Sequence, residues 1–331
     1  MYEQYHNLQE KPFNLTPDPR YIYFTEKHCE ALANLVYGIR ERKGFIVLSG
    51  EVGTGKTTLV NALLDTLERT GILSSFIFNP ILTSAEFFEY LLADLNIRCD
   101  TRSKSQALIK LNSLLLERYR MGQVTVLIID EAQNLSTEIL EEVRLLTNLE
   151  TATEKLLQIV LVGQPELSLK LNSTELRQLK QRINLRCSLD PLTLFETKEY
   201  INTRLEIAGL PNQQIFSDSS IAEVYKFSGG VPRLINSICD NALLAGYACD
   251  SRKIGVEIIQ EVSEDLELFD GTRSHARRPK VSRPAKLPSN EISAVQDEGP
   301  PENPDPKTPQ YDSESFDMFV QFVDKLRDRS K

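Results

Sequence analysis

Gly50-Glu51-Val52-Gly53-Thr54-Gly55-Lys56-Thr57 is the stretch from which the rest of the chain can be read. It matches GxxxxGK[ST] in full, follows a predicted strand at 45–49 and opens a predicted helix at 57–69, the context that makes the pattern specific. Main-chain N–H groups converge on a phosphate only if no Cβ atoms intervene, which Gly50, Gly53 and Gly55 permit. Glu51, Val52, Thr54 and Thr58 complete the loop and the first helical turn. The helix turns the positive end of its dipole toward the anion. Lys56 brings a mobile charge to the β- and γ-phosphates, and Thr57 a hydroxyl for Mg²⁺. The stretch therefore implies ATP and Mg²⁺ as ligands.

Further along, Val126-Leu-Ile-Ile-Asp130-Glu131 reads as a buried strand ending in two carboxylates. Such a strand carries Asp130 to the sheet edge beside the phosphate loop, where an aspartate holds Mg²⁺. Glu131 is then the candidate base that polarises an attacking water. Another strand, Val160-Leu-Val-Gly163-Gln164, also ends in a polar residue. Gln164 suits a bond to the γ-phosphate or the water, and equally a turn or helix cap before Pro165. Arg177, Arg182 and Arg186 follow; each reads as a surface charge or as an arginine finger for a neighbouring subunit's nucleotide. In Gly229-Gly230-Val-Pro-Arg233 the glycines make a tight turn and Pro232 suits the first turn of a helix from which Arg233 projects. By itself that reads as a solvated helix start.

Working outward, short apolar strands at 45–49, 75–79, 124–130, 157–163 and 185–190 alternate with helical patterns at 26–42, 57–69, 85–95, 105–119 and 136–149, the last with Ser136 as a candidate cap. This alternation predicts an α/β fold, a parallel sheet with helices on both faces. After Pro191 only helical patterns remain: 193–208, 217–227, 231–248 and 256–268. The expected organisation is an aromatic and proline-bearing arm (1–25), a core (26–191), a small all-helical lid (192–269), a disordered linker (270–314) and a short amphipathic helix (315–331). The linker is basic over 273–286 and acidic and proline-rich over 291–314, too poor in apolar residues to offset chain entropy. The basic run suits either a solvated linker or an anionic surface. Phe316, Phe319, Val320, Val323 and Leu326 fall at helical spacing, as in a segment that docks in a partner's groove or folds back on its own chain.

The formal net charge of −9 over 331 residues argues against a bulk polyanion binder, so DNA is a possible but less favoured partner. The five cysteines are dispersed and form no CxxC pair, and the three histidines are scattered, which reads as reduced thiols and no zinc site. The N-terminus lacks the pattern of a secretory signal, and no run approaches the roughly 18 apolar residues of a membrane span. A cytoplasmic protein is expected, held at the inner membrane, if at all, through a partner.

These motifs together resemble an AAA+ ATPase of the general secretion pathway protein A (ExeA) type, and the shorter ATPases attached to exosortase/PEP-CTERM loci above all. The resemblance spans about residues 1–268 and rests on Lys11-Pro12-Phe13-Asn14…Pro17-Asp18, the phosphate loop, Asp130-Glu131-Ala132-Gln133-Asn134-Leu135, Gly163-Gln164-Pro165-Glu166-Leu167, Gln181-Arg182-Ile183 and Gly229-Gly230-Val231-Pro232-Arg233. It implies a five-stranded AAA+ P-loop core, ATP hydrolysis, and a ring or filament of identical subunits. Gln164 matches the first sensor, Arg182 the finger acting in trans, and Arg233 the second sensor on the lid. The arm around Phe13 and Pro17 is expected near the adenine. Secretion protein A proper continues into a membrane span and a peptidoglycan-binding domain, where this sequence carries its charged tail. The implied role is to drive or gate assembly of an envelope secretion, sorting or polysaccharide-export complex, with a membrane-associated partner engaged through the tail. Transposition target-selection ATPases share similar motifs, so a DNA-binding switch is the alternative.

Overall fold

The computed structural model describes residues 1–14, 19–21, 23–78, 81–98, 103–210 and 215–268. The expected linker and terminal helix (270–331) lie outside the described residues, as does Pro17. The chain runs α1 (Tyr2–Tyr5), a 3-10 turn (Pro19–Tyr21), α2 (Glu26–Arg40), β1 (Phe45–Gly50), α3 (Lys56–Arg69), β2 (Leu73–Ile77), α4 (Ser84–Asp94), α5 (Lys104–Arg120), β3 (Thr125–Ile129), a 3-10 turn (Ala132–Asn134), α6 (Thr137–Leu146), β4 (Leu157–Gly163), α7 (Pro165–Leu171), α8 (Arg177–Lys180), β5 (Ile183–Leu189), α9 (Leu194–Ile207), α10 (Asp218–Ser228), α11 (Pro232–Ala248) and α12 (Val256–Asp265).

The five strands form one parallel sheet in the order β2-β3-β4-β1-β5. Their side chains alternate between two hydrophobic layers, as the period of two in a strand requires. Phe45 and Val47 face α4, α5 and α6, while Ile46 and Leu48 face α2 and α3. All five residues of β3 and all seven of β4 are buried, which explains their near-continuous apolar sequence. Each fully buried Leu, Ile or Phe contributes about 1.5–3 kcal/mol relative to exposure, so these central strands anchor the sheet.

Local chemistry sets several helix starts. Ser136 does cap α6, accepting from the Ile139 N–H at 3.2 Å. Thr83 with Glu86 and Thr193 with Glu196 form reciprocal capping boxes on α4 and α9. Strand β2 begins two residues earlier than the sequence pattern suggests and ends at Ile77, because Leu73 pairs with Thr125 on β3. The pattern over 164–182 gave no hint of α7 and α8, which are too short to show a period.

Helices α9 to α12 surround a third core, which the N-terminal residues join. Tyr2, Leu8 and Phe13 are buried among Ile201, Leu205 and Ile238. Phe13 is 1% exposed and meets Phe216 edge-on, with ring centroids 6.1 Å apart. Arg204, also buried, donates from Nε to the Pro12 carbonyl at 2.6 Å and from a terminal nitrogen to the Tyr200 hydroxyl at 2.8 Å. The Phe13 ring is thus enclosed by the helical core.

Candidate functional site

The sheet register brings the site together. Ile129 of β3 pairs with Leu161 of β4, and Ser49 of β1 pairs with Gly163 of β4. Extending each strand past these pairs puts Asp130 and Glu131, Gln164, and the phosphate loop after Gly50 along one carboxyl edge. Crevices at that edge are where open parallel sheets bind ligands. Asp130 is fixed there by its own N–H, which donates to the Ile77 carbonyl at 2.9 Å.

Within the loop, Gly53 and Gly55 adopt φ of +83° and +97°, conformations that L side chains rarely take. Gly53 is constrained from outside as well, since a Cβ there would stand 2.7 Å from the Arg233 Cβ. Gly55 is the N-cap of α3 and offers no side-chain cap, so the first amides of that helix remain available to an anion. Lys56 is buried and donates from Nζ to the carbonyls of Gly50 at 2.8 Å and Glu51 at 2.9 Å. Burial pulls its pKa down, and the charges of Glu131 and Asp130 oppose that shift. Glu51, Val52 and Thr57 are exposed, Gly53, Gly55 and Thr58 partly so, and Gly50 and Thr54 are buried.

The Thr57 hydroxyl donates to Asp130 Oδ2 at 3.3 Å across a separation of 73 residues. Asp130 is 5% exposed; burial raises its pKa, while hydrogen bonds from the Glu131 N–H and Thr57 act against the rise. Hydroxyl and carboxylate oxygens at the tip of the phosphate cradle fit a Mg²⁺ ion, which takes one or two carboxylates together with phosphate oxygens. The uncapped helix start and the open glycine backbone fit a nucleotide's phosphates.

Glu131 sits in the left-handed region, with φ 50°. Its Oε2 accepts from the Gln164 amide at 3.2 Å and from the Gln133 amide at closer range. Gln164 is the N-cap residue of α7, but its side chain serves Glu131 instead of capping. The backbone of Gln164 thus makes the turn before Pro165, while its side chain turns toward Glu131.

Arg182 lies elsewhere. It precedes β5, whose first residue pairs with Phe45 at the start of β1, whereas Gly50 pairs with Leu189 at the far end. Seven residues of strand at about 3.3 Å each separate Arg182 from its own phosphate loop, farther than an arginine side chain extends. Its guanidinium donates to Asn148 Oδ1 at 2.6 Å and to the Thr147 hydroxyl, at the end of α6. Arg177 begins α8 in the same region, and Arg186 is exposed on β5. Arg233, by contrast, does reach the site: at the second position of α11, its N–H points at the Gly53 carbonyl, 3.4 Å away.

Two residues escaped the sequence reading. Gln133 lay inside a quoted motif, but its cross-strand contact is invisible in one dimension. His28, on α2, has no motif at all. It is buried against the loop, with Nε2 3.1 Å from the Thr54 carbonyl and Nδ1 2.7 Å from the Thr25 hydroxyl. The carbonyl can only accept, so Nε2 carries the proton and Thr25 donates to Nδ1.

Sheet order, phosphate loop and helical unit together are those of an AAA P-loop ATPase fold, and residues 39–171 match the family described as an AAA domain. Over 255 residues, 77% of this chain, the sequence is 44% identical to general secretion pathway protein A of Aeromonas hydrophila. The chain spans 46% of that relative's length. Among solved structures, it resembles an origin recognition complex from Drosophila bound to DNA (TM-score 0.61, 18% identity, covering 81% of this chain and 67% of that one). It also resembles Cdc6p from Pyrobaculum aerophilum (TM-score 0.58, 18% identity, 78% and 71% covered). A third is the ORC2 protein of Aeropyrum pernix in ADPNP and ADP complexes (TM-score 0.56, 15% identity, 78% and 72% covered). At these identities the structures share the fold alone. No helix among the described residues is long and apolar enough to cross a membrane.

Proposed function

We propose that this protein binds Mg²⁺–ATP at the carboxyl edge of its sheet and hydrolyses it as an assembly of identical subunits. The observation that carries the reading is the approach of Thr57 to Asp130 at 3.3 Å, beside a phosphate cradle that ends on Lys56. ATP supplies the transferable phosphoryl group and Mg²⁺ the Lewis acid that neutralises charge developing on it. Lys56 and the first amides of α3 hold the phosphates, and Thr57 and Asp130 hold the metal. Glu131 accepts the proton of the attacking water, with Gln164 orienting that carboxylate. Arg233 ties the lid to the loop. Arg182, remote from its own site, serves a neighbouring subunit's site in trans.

The role we infer is that turnover drives or gates assembly of an envelope secretion or export complex. Supporting it is the 44% identity to a protein named for the general secretion pathway. The expected association is peripheral, at the inner membrane. ATP-dependent retention of the full chain on inner-membrane vesicles checks this role, and retention indifferent to nucleotide counts against it. The test of the chemistry is Glu131→Gln. It should keep nucleotide affinity and lose about 100-fold or more in phosphate release, the range of a general base. Normal turnover in that variant would remove Glu131 from the role.

A further inference from the structure

Gln133 stands just outside the residues assigned above, on the 3-10 turn between β3 and α6. Its side-chain amide has two partners, one just past the end of β3 and one just past the end of β4. Its nitrogen donates to Glu131 Oε2, and its oxygen accepts from the Gln164 backbone N–H at 3.1 Å. The orientation of the amide is fixed by chemistry: a carboxylate only accepts and a peptide N–H only donates. Gln164 then completes a triangle by donating from its own side chain to the same Glu131 oxygen at 3.2 Å.

The amide packs against the backbone of Gly163. A Cβ on Gly163 would stand 2.8 Å from Gln133 Oε1, so only glycine at the end of β4 leaves room for it. The turn that carries Gln133 is held from α7. Lys170 Nζ donates to the Gln133 carbonyl at 3.1 Å and to the Leu135 carbonyl. Glu131 itself has a left-handed backbone, a conformation that persists only where neighbours over-determine it.

We propose that Gln133 is a positioning residue for hydrolysis, which fixes the Glu131 carboxylate and couples it to the backbone of Gln164 so that the tips of β3 and β4 act as one unit. The proposal rests on the ATPase reading above. Gln133 acts through Glu131, the carboxylate its amide holds. Misplacement of a reacting group by about 1 Å costs up to about 100-fold in rate, so losing this amide should lower kcat and leave nucleotide binding intact.

The experiment compares the full chain with Gln133→Met, Gln133→Glu, Glu131→Gln and the double variant Gln133→Met/Glu131→Gln, measuring phosphate release and nucleotide affinity. Gln133→Met removes both amide partners at similar volume. Gln133→Glu keeps the acceptor for Gln164 and replaces the donor to Glu131 with a like charge. Each should lower kcat about 10- to 100-fold with affinity within about twofold. On the Glu131→Gln background, Gln133→Met should cost less than about twofold more, since its effect runs through the carboxylate already removed. Either single variant with wild-type kcat overturns the proposal, as does an equal loss of affinity and kcat or a full additional loss in the double variant. Should Gln133→Met fail to fold, Gln133→Glu decides the matter alone. A wild-type chain that binds ATP without turning it over overturns the ATPase reading and this proposal together, whereas turnover indifferent to Gln133 overturns this proposal only.

Discussion

The backbone N–H of Arg233, at the start of α11, lies 3.4 Å from the carbonyl of Gly53, in the middle of the phosphate loop. The contact joins the helical unit to the sheet at the point where nucleotide phosphates fit, and a side chain at position 53 would collide with Arg233. The helical unit and the phosphate loop are therefore in direct contact at this point. Gly53→Ala, strained at φ +83° and driven against Arg233, should weaken ATP binding at least tenfold; isothermal titration against wild type checks it.

Lys56 is buried, with its ammonium held on two loop carbonyls. Lys56→Ala removes a cation held inside the cradle and takes its donor from those carbonyls. Nucleotide affinity should fall about 100-fold or more, with turnover lost, read by fluorescent-nucleotide titration and phosphate release. Unchanged affinity would mean that the loop binds no triphosphate.

Arg182 stands at the opposite end of the strands from its own phosphate loop. If it acts in trans, specific activity should rise with protein concentration. Arg182→Ala should be slowed about 10³-fold. Mixing Arg182→Ala with Glu131→Gln should restore part of the activity that each lacks alone. Two inactive partners that stay inactive when mixed would count against an intersubunit finger.

Arg204 fastens the N-terminal residues to the helical unit through the Pro12 carbonyl and the Tyr200 hydroxyl. Arg204→Met keeps the aliphatic bulk but takes the guanidinium donor from the buried Pro12 carbonyl, while the Tyr200 hydroxyl keeps its bond to Asn236 Oδ1. A loss of about 2 kcal/mol in urea denaturation is expected, with faster amide exchange over residues 2–13. An unaltered exchange pattern there would show that the arm is held by its apolar contacts alone.

Both His6 and His28 are buried, and burial lowers each pKa below its ordinary 6.5. The unfolded chain takes up protons as pH falls through about 6.5, while the folded chain does so only at lower pH. Their contribution to stability is thus fully present above that pH and lost as pH falls through it. The melting temperature should drop between pH 7.5 and 5.5, and His28→Gln should flatten that slope. A slope unchanged by His28→Gln would assign it to other groups.

Sequence alone determined a good deal here. The glycine spacing of 50–57, the apolar run that ends on Asp130 and Glu131, and the alternation of strands with helices each record a local demand: φ freedom, two-sided burial, a period of two or 3.6. Such demands fall on single residues or short spans and remain legible without coordinates. The tertiary structure alone decided what depends on residues far apart in the chain. Phe13 goes into the helical core because Phe216 lies beside it, and Arg182 is kept from its own loop by the register of β5 on β1. His28 bears on the loop, and Gln133 reaches the backbone of Gln164, 31 residues away. The pairings at the sheet follow from strand order and register, and the one between Phe13 and Phe216 from the packing of the helical unit; both are set by how whole faces pack, a property no short stretch of sequence contains.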